Sequence, residues 1–255
     1  MTPAAVTSTK TRLIEAARYL FWKNGYAATG MAEILVAAKA NSGSFYHFFD
    51  SKEALLLAVL ETYLDGLEPV VLRPVFEQTQ DPLERIFGIL DGYRGRLIET
   101  GCRYGCPLGR LALELDPDNR AVHERIAANF AAWTTAVRGC LEGLKDRLPA
   151  GFDLESLSRF VLTVMEGAVM QARTNRSLEP FDQSVEQLRD YFDRLLGTEG
   201  RPQKTMVCHT TQHSRKQTVG PKPRGRQSLA LGRPINNRPQ ANNLPHISKK
   251  PRRRK

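Results

Sequence analysis

The sequence of 255 residues has few cysteines, no long apolar run and no acidic side chain in residues 201–255. Four cysteines are too few for a disulfide framework in a chain of this length. No apolar segment reaches the roughly 18 residues that a membrane span needs, and the N-terminus has no apolar signal region. We therefore expect a cytoplasmic protein without a membrane partner.

The motifs of enzymes and metal sites are also missing. The sequence has no phosphate-binding glycine loop after a strand, no nucleophile elbow and no paired-histidine zinc motif. Cys102 and Cys106 lack the paired spacing of a zinc site, and nothing around Cys208, His209 and His213 fixes the geometry of three ligands. We expect neither an enzyme nor a metalloprotein, and no cofactor.

The positive charge is concentrated at the C-terminus. The net charge is +10, but residues 201–255 contain 15 Lys and Arg, while residues 1–200 contain 22 basic and 27 acidic residues and carry −5. The composition of residues 199–255 is that of a disordered basic tail. Such a tail raises non-specific DNA affinity in a salt-dependent way, and whether it is a DNA-binding arm or an incidental extension stays open.

Residues 11–50 have the pattern of three short helices. A first helix ends at Gly25, Thr29 is a candidate cap for a second helix from Met31 to Ala38, and a third begins near Ser42. A tight turn joins the last two, which is a helix-turn-helix arrangement. The apolar residues of the first helix recur at three and four residue steps on one face: Leu13, Ile14, Ala17, Leu20 and Phe21.

Four short motifs follow one another in residues 10–60: Leu20-Phe21, Gly25-Tyr26-x-x-Thr29, Gly43-x-x-Tyr46 and Phe49-x-Ser51-Lys52-Glu53. In this order and spacing they resemble the TetR family of bacterial transcriptional repressors. The resemblance implies that residues 1–52 form a DNA-binding domain, with the N-terminal half of the third helix in the major groove.

The resemblance also implies which residues contact DNA. Ser42, Ser44 and His47 fall on base-reading positions, and Gly43 allows the backbone to approach closely. Tyr46, Lys52 and Thr29 complete the expected set, with Tyr46 and Lys52 gripping phosphates. Phe45 and Phe49 are expected in the core instead.

Three residues depart from the family pattern. Lys39 stands where the turn usually has glycine, so we expect it to adopt the left-handed conformation at a cost of about 1 kcal/mol and to offer a further phosphate contact. Phe48 and Gly30 each remove a possible phosphate donor.

Residues 53–198 read as helix, so the predicted fold is all-α, and the resemblance implies that they form a ligand-binding and dimerisation domain. The expected helices cover 52–72, 82–100, 104–115, 117–147, 153–176 and 182–197, with Asp81, Asp116, Asp153 and Asp182 as candidate caps. The last two helices carry more apolar residues than one face holds, which suits a homodimer with a four-helix interface. The alternative is that the apolar residues on all faces of these two helices pack inside one subunit. The interface candidates are Phe160, Val164, Ala168, Leu188, Phe192 and Leu195.

Residues 1–52 are called the head below. The resemblance implies an apolar pocket for a small-molecule inducer between the head and the last two helices, although an ordinary core would use the same residue types. The candidate lining residues are Phe87, Leu90, Tyr93, Leu97, Leu108, Leu111, Leu115, Phe130, Trp133 and Val137.

Cys102 and Cys106 are candidate thiol sensors, because Arg103 and Arg110 beside them would favour thiolate. Residues 105–115 resemble a branch of the family that includes regulators responding to electrophiles. Buried packing cysteines are the alternative.

Together these observations predict a dimeric repressor that binds an inverted-repeat operator in double-stranded DNA and is released by a small molecule or by cysteine modification. The alternative is a non-specific nucleic-acid-binding protein in which the basic tail dominates.

Overall fold

The computed structural model describes residues 8–116 and 118–197. The expectations for the basic tail, including those for Cys208, His209 and His213, lie outside the described residues. Every regular element in the described ranges is helical, which confirms the all-α prediction. The helices are α1 Thr9–Asn24, α2 Met31–Ala38, α3 Ser42–Phe48, α4 Lys52–Gly66, α5 Arg73–Gln78, α6 Pro82–Glu99, α7 Pro107–Glu114, α8 Arg120–Glu142, α9 Leu154–Asn175 and α10 Glu179–Leu195.

Several helices begin at a side-chain cap that the sequence indicates. The carboxylate of Asp81 accepts hydrogen bonds from the first amides of α6, and that of Asp153 does the same for α9. Ser51 caps α4 through the amide of Ala54. These residues satisfy amides that a helix start leaves without an intrahelical partner. The capping predictions at Asp81 and Asp153 are confirmed.

Thr29 does not cap α2, contrary to the expectation. Gly30 occupies the N-cap position and makes no side-chain capping bond. The Thr29 hydroxyl is buried and donates to the carbonyl of Gly25 at 2.6 Å. It therefore closes the loop between α1 and α2, and it is not exposed for the DNA contact that was predicted.

Two further capping predictions are wrong. α8 begins at Arg120, where the side chain of Asn119 accepts from the amide of Val122, so Asp116 is not its cap. α10 begins at Glu179, and Asp182 inside it forms an ion pair with Arg94 of α6 at 2.8 Å. In both cases the helix begins at another residue, and the aspartate does not serve as its N-cap.

The predicted helix over 52–72 is helical throughout, but it is not one regular α-helix. α4 ends at Gly66, and a π-helical segment, Leu67–Leu72, leads into α5. Pro69 and Pro74 lie in this stretch. Because proline has no amide hydrogen and its ring collides with the preceding turn, a regular helix cannot continue unchanged through it.

One hydrophobic core runs through the described residues, from Leu13 in α1 to Phe192 in α10. A smaller cluster contains Leu67, Leu72, Ile89 and Trp133. No helix in residues 8–116 or 118–197 combines the length and the apolar character that a membrane-spanning segment needs.

Candidate DNA-binding head and its junction with the body

The third helix has a buried side and an exposed side. Asn41 caps α3 by accepting from the amide of Ser44 at 2.8 Å. Phe45 and Phe49 are buried, as expected, and their ring centroids lie 5.8 Å apart. This aromatic base fixes the orientation of α3, so its opposite side is presented to solvent. The predicted contact residues on α3 are exposed or, for Ser44, half-buried: Ser42, Gly43, Ser44, Tyr46 and His47.

The turn between α2 and α3 depends on a strained residue. Lys39 has φ +49° and ψ +50°, the left-handed conformation predicted from the sequence. Its amide donates to the carbonyl of Val36, and the amide of Ala40 donates to that of Leu35. These bonds close α2 and hold the turn, while the lysine side chain remains exposed.

Lys52 makes an intramolecular contact at the start of α4. Its Nζ donates to the carbonyl oxygen of Tyr26 at 2.5 Å and lies 4.2 Å from the centroid of the Tyr26 ring. Partial burial lowers the pKa of Lys52, and the Glu114 carboxylate opposes that shift. An ammonium group has three donors, so this bond anchors Lys52 and leaves donors for the predicted phosphate contact.

A helix of residues 53–198, called the body below, forms hydrogen bonds with the end of α1. The guanidinium of Arg110, on α7, donates to three successive carbonyls there: those of Trp22 at 3.4 Å, Lys23 at 3.2 Å and Asn24 at 2.5 Å. The last carbonyls of a helix have no intrahelical partner and carry its partial negative charge. Arg110 therefore caps α1 from another part of the chain.

Glu114, one turn further along α7, completes this contact. Its carboxylate accepts from the amide of Ala27 at 2.7 Å and from that of Tyr26 at 3.1 Å. Gly25 lies between the two sets of bonds with φ +96°, and a Cβ there would stand 2.6 Å from both Arg110 and Glu114. Only glycine fits this corner. We call Arg110 and Glu114 the α7 clamp.

Sequence reasoning missed the α7 clamp. The sequence pattern assigns no role to Glu114, and it predicts Arg110 only as a neighbour that favours a thiolate at Cys106. The Arg-x-x-x-Glu spacing indicates that both side chains lie on one face of a helix. It does not indicate which other segment they contact.

The N-terminal side of α7 also touches the head. The indole Nε1 of Trp22 donates to the carbonyl of Gly105 at 2.7 Å, and its ring lies 4.9 Å from that of Tyr104. Both ends of the 105–114 segment therefore contact the last turn of α1 or the loop that follows it.

Neither candidate sensor cysteine is in an environment that favours thiolate. Burial and then the Glu166 carboxyl, which its thiol faces, raise the pKa of Cys106 well above the ordinary value. Burial also raises the pKa of Cys102, against the opposing effect of Arg176. The expected activation by Arg103 and Arg110 is therefore wrong, because Arg110 is bound to α1 and a carboxyl is the charged neighbour of Cys106. Burial also raises the pKa of Glu166.

The residues predicted to line an inducer pocket pack in the core of the body. Tyr93, Leu115 and Phe130 are half-buried, and the other residues named for the pocket are buried. Trp133 belongs to the smaller hydrophobic cluster, where its ring lies 5.3 Å from that of Tyr93. Phe87 packs against Phe192 in the main core. Their role in ligand binding stays a prediction.

An open groove of about 630 Å³ lies between α9 and α10. Three of the predicted dimer residues line it: Phe160, Val164 and Leu188. Phe160 is 43% exposed and packs against the Tyr191 ring.

Ala168, Leu188 and Phe192 are at most 2% exposed. Predicting them as a separate interface stripe was therefore wrong, because they pack inside the subunit. The exposed side of α9 and α10 is therefore narrower and more polar than the sequence indicates.

Two family models match the chain. The model described as "Bacterial regulatory proteins, tetR family" matches residues 13–59. The model described as "Transcriptional regulator LmrA/YxaF-like, C-terminal domain" matches residues 82–187. The first covers the head, and the second covers α6 to α9 and the first part of α10.

Individual relatives extend over both regions. The chain is 28% identical over 194 residues to the HTH-type transcriptional repressor DhaR of Mycobacterium sp. (strain GP1), covering 75% of this chain and 94% of DhaR. It is 30% identical over 187 residues to an uncharacterised HTH-type transcriptional regulator of Mycobacterium tuberculosis (strain CDC 1551 / Oshkosh), covering 70% and 91% respectively.

The fold resembles the crystal structure of a regulatory protein TetR from Rhodobacter sphaeroides, with a TM-score of 0.67 at 22% identity, over 72% of this chain and 99% of that one.

Proposed function

The chain belongs to the TetR family of bacterial transcriptional regulators, and we propose that it is a repressor that binds an inverted-repeat operator as a homodimer and releases it when a small molecule binds. TetR-family proteins bind DNA, and the relatives of this chain are regulators rather than enzymes. The cytoplasm, where the bacterial chromosome lies, is the proposed location.

The observation that carries this proposal is the two-sided character of α3. Phe45 and Phe49 hold one side of the helix in the head, and the other side exposes Ser42, Tyr46 and His47. A helix that enters the major groove needs this combination of a fixed orientation and exposed hydrogen-bonding side chains. We propose that Ser42, Ser44 and His47 meet base edges.

The phosphate contacts are proposed for a tyrosine and two lysines of the head. Tyr46 supplies a phenolic donor and is 63% exposed. Lys39 supplies an ammonium from the turn, and Lys52 supplies one from the start of α4. Gly43 lets the backbone of α3 approach the groove. These contacts position the head on the duplex, whereas base contacts choose the sequence.

The homodimer is proposed to form through the exposed face of α9 and α10. Phe160, Val164 and Tyr191 give this face an apolar centre, and glutamines line the groove beside it. Two copies related by a twofold axis would bury this centre in a four-helix interface. The twofold axis would then present two α3 helices to successive major grooves, about 34–36 Å apart or a multiple of that distance.

Release requires a ligand that prefers the conformation unable to bind DNA, since equal affinity for both conformations shifts nothing. The buried aromatic residues around Phe87, Tyr93 and Trp133 are the proposed ligand region. Modification of Cys102 or Cys106 is a second proposed release route, and burial makes it slow.

The proposal is tested by selecting duplexes from a random-sequence library with the full-length protein. We expect the selected sites to contain an inverted repeat and to bind much more tightly than random duplex, on the order of 10³-fold or more. Operator binding is then measured again after deletion of residues 201–255, because a basic tail supports only non-specific affinity.

Two results would decide against the repressor. If no inverted repeat is enriched, or if selectivity over random duplex is absent both before and after the deletion, the protein is the non-specific binder that the basic tail suggests. Retained selectivity after the deletion, with weaker binding to random duplex, supports the proposal.

A further inference from the structure

The position of the head relative to the body depends on two attachments in the described structure. The first is α4, which continues from the head into the body and is bonded to α8. Asn119 donates to the Glu53 carboxylate at 2.7 Å, Arg125 pairs with Glu61 at 2.5 Å, and Asn129 donates to the carbonyl of Leu60. The second attachment is α7, through the α7 clamp and through the bond from the Trp22 indole to the carbonyl of Gly105.

A single helical attachment lets a small domain tilt or rotate about that helix. A second attachment to a different helix removes this freedom. The clamp suits this role because it binds main-chain groups, which cannot change rotamer. Arg110 binds the carbonyl end of α1, where partial negative charge accumulates, and Glu114 binds the next two free amides.

The clamp is also partly withdrawn from solvent. The Arg110 and Glu114 side chains are 25% and 22% exposed, compared with 89% and 62% for the surface pair Arg120–Glu124, which has the same spacing. Charge-assisted hydrogen bonds are stronger where water competes less. The clamp therefore fixes a geometry, whereas the surface pair contributes little.

The other end of α7 meets one of the helices proposed to form the dimer. Cys106, the N-cap of α7, faces Glu166 of α9, and a Cβ on Gly109 would stand 2.7 Å from the Glu166 Oε2 atom. α7 has eight residues, a length of about 12 Å. This short helix thus connects α9 to the loop between α1 and α2.

We infer that Arg110 and Glu114 are positioning residues that determine which half-site spacing the dimer accepts, by holding each head at a fixed orientation relative to the α9–α10 face. This inference rests on the proposed function, because it requires a dimer on an inverted repeat. Neither residue has to touch DNA for this role.

Half-site spacing is a sensitive measure of head orientation. One inserted base pair moves a half-site by about 3.4 Å and turns it by roughly 35° about the duplex axis, since one helical turn takes about 10–10.5 base pairs. Heads held at both attachments cannot follow this change. Heads whose clamp is broken are held by α4 and by the single Trp22–Gly105 bond, and they can follow it at lower cost.

The test uses the full-length protein and the inverted-repeat duplex that the wild type selects. Binding is measured to that duplex, to versions with one base pair inserted or removed between the half-sites, and to a duplex with one half-site. The variants are Glu114→Gln, which replaces a double acceptor with one acceptor and one donor, and Arg110→Met, which keeps an unbranched apolar stem and removes the guanidinium. Glu124→Gln is the matched control in a surface pair.

We expect wild type and Glu124→Gln to share one strong spacing preference. Glu114→Gln and Arg110→Met should weaken that preference by about tenfold, within the usual range of coupling between sites, while single half-site binding changes by less than about twofold. Glu114→Gln, the more conservative change, decides the test alone if Arg110→Met does not fold.

The inference is overturned if Glu114→Gln keeps the wild-type spacing preference, or if it weakens half-site binding as much as binding to the full operator. The second result would mean that the clamp only stabilises the head. If the wild type selects no inverted repeat, the proposed function fails and this inference fails with it. If the wild type selects one and the variants behave like wild type, only the inference fails.

Discussion

Individual side chains in the head combine structural and DNA-binding requirements. Lys39 holds a left-handed conformation that glycine adopts without strain, yet it places a positive charge at the turn next to α3. A residue that accepts backbone strain at an exposed turn needs a compensating role. A phosphate contact by Lys39 is such a role, and stability and DNA affinity should therefore respond in opposite directions when glycine replaces Lys39.

Replacing Lys39 with glycine should raise the free energy of unfolding by up to about 1 kcal/mol, because the left-handed strain disappears and only part of the gain is lost to the greater freedom of the unfolded chain. Denaturant unfolding measures this change. The same variant should bind operator more weakly, and its slope of log K against log salt should fall by about 1 for each subunit.

Lys39→Asn is the control for the charge, because asparagine tolerates the left-handed region. It should show the reduced salt slope with little change in stability. An unchanged slope in both variants would remove Lys39 from the phosphate contacts.

Cys106 and Glu166 give a second prediction at the residue scale. The raised pKa of Cys106 means that its thiolate is scarcer than that of a free cysteine at a given pH, so alkylation should be slow near neutrality and speed up as the pH rises. Glu166→Gln removes the carboxyl charge, lowers the pKa of Cys106 and should increase its alkylation rate several-fold at pH 8.

Site-resolved mass spectrometry after treatment with iodoacetamide measures these rates, and buried Cys140 is the internal control. If Cys106 reacts as fast in the folded protein as in the urea-unfolded chain, its described environment is wrong. Equal acceleration of Cys140 in Glu166→Gln would indicate general loosening rather than a local charge effect.

At the scale of helices, periodicity and capping residues predicted much of the architecture. Asp81, Ser51 and Asp153 begin α6, α4 and α9 because each supplies an acceptor to amides only two or three residues away. Such contacts are local, so a single sequence contains the necessary information. The predictions failed at Asp116, where Asn119 caps α8 instead, and at Asp182, where α10 already begins at Glu179 with Pro180 in its first turn.

The α7 clamp was not predictable in the same way. Arg110 and Glu114 act on residues more than 80 positions away in the sequence. Their partners are main-chain atoms, which leave no side-chain pattern to recognise. The burial of Ala168 and Phe192 was missed for a related reason, since periodicity predicts that a stripe is apolar without indicating whether it faces the subunit core or a second subunit.

The outer face of α9 and α10 gives a prediction at this scale. Phe160→Glu places a charge at the centre of the proposed interface, and a hot-spot loss of about 2 kcal/mol or more weakens dimerisation roughly 30-fold. Sedimentation velocity across a concentration series measures the change. Val70→Glu, at another exposed apolar side chain, is the control.

Phe160→Glu should also reduce operator affinity, because a monomer contacts only one half-site. A variant that remains a dimer at the same concentrations as wild type would place the interface elsewhere on the molecule.

For the whole molecule, the central claim is that a twofold dimer reads an inverted repeat through two α3 helices. The described subunit supplies the exposed recognition helix, the aromatic base beneath it and the apolar centre of a candidate dimer face. The α7 clamp joins the head, which contains the exposed helix α3, to the body, which contains the candidate dimer face. The basic residues of 201–255 cannot supply selectivity for an inverted repeat, because attraction between lysine or arginine and phosphate does not distinguish the orientation of half-sites.

The most direct measurement compares two duplexes that contain the same selected half-sites at the same separation, one as an inverted repeat and one as a direct repeat. We expect two subunits to bind the inverted repeat, with an affinity that exceeds that for the direct repeat by roughly 10²-fold or more, since each lost half-site contact costs about 1–3 kcal/mol per base pair. Equal affinity for the two duplexes would contradict the twofold dimer and, with it, the proposed mode of operator recognition.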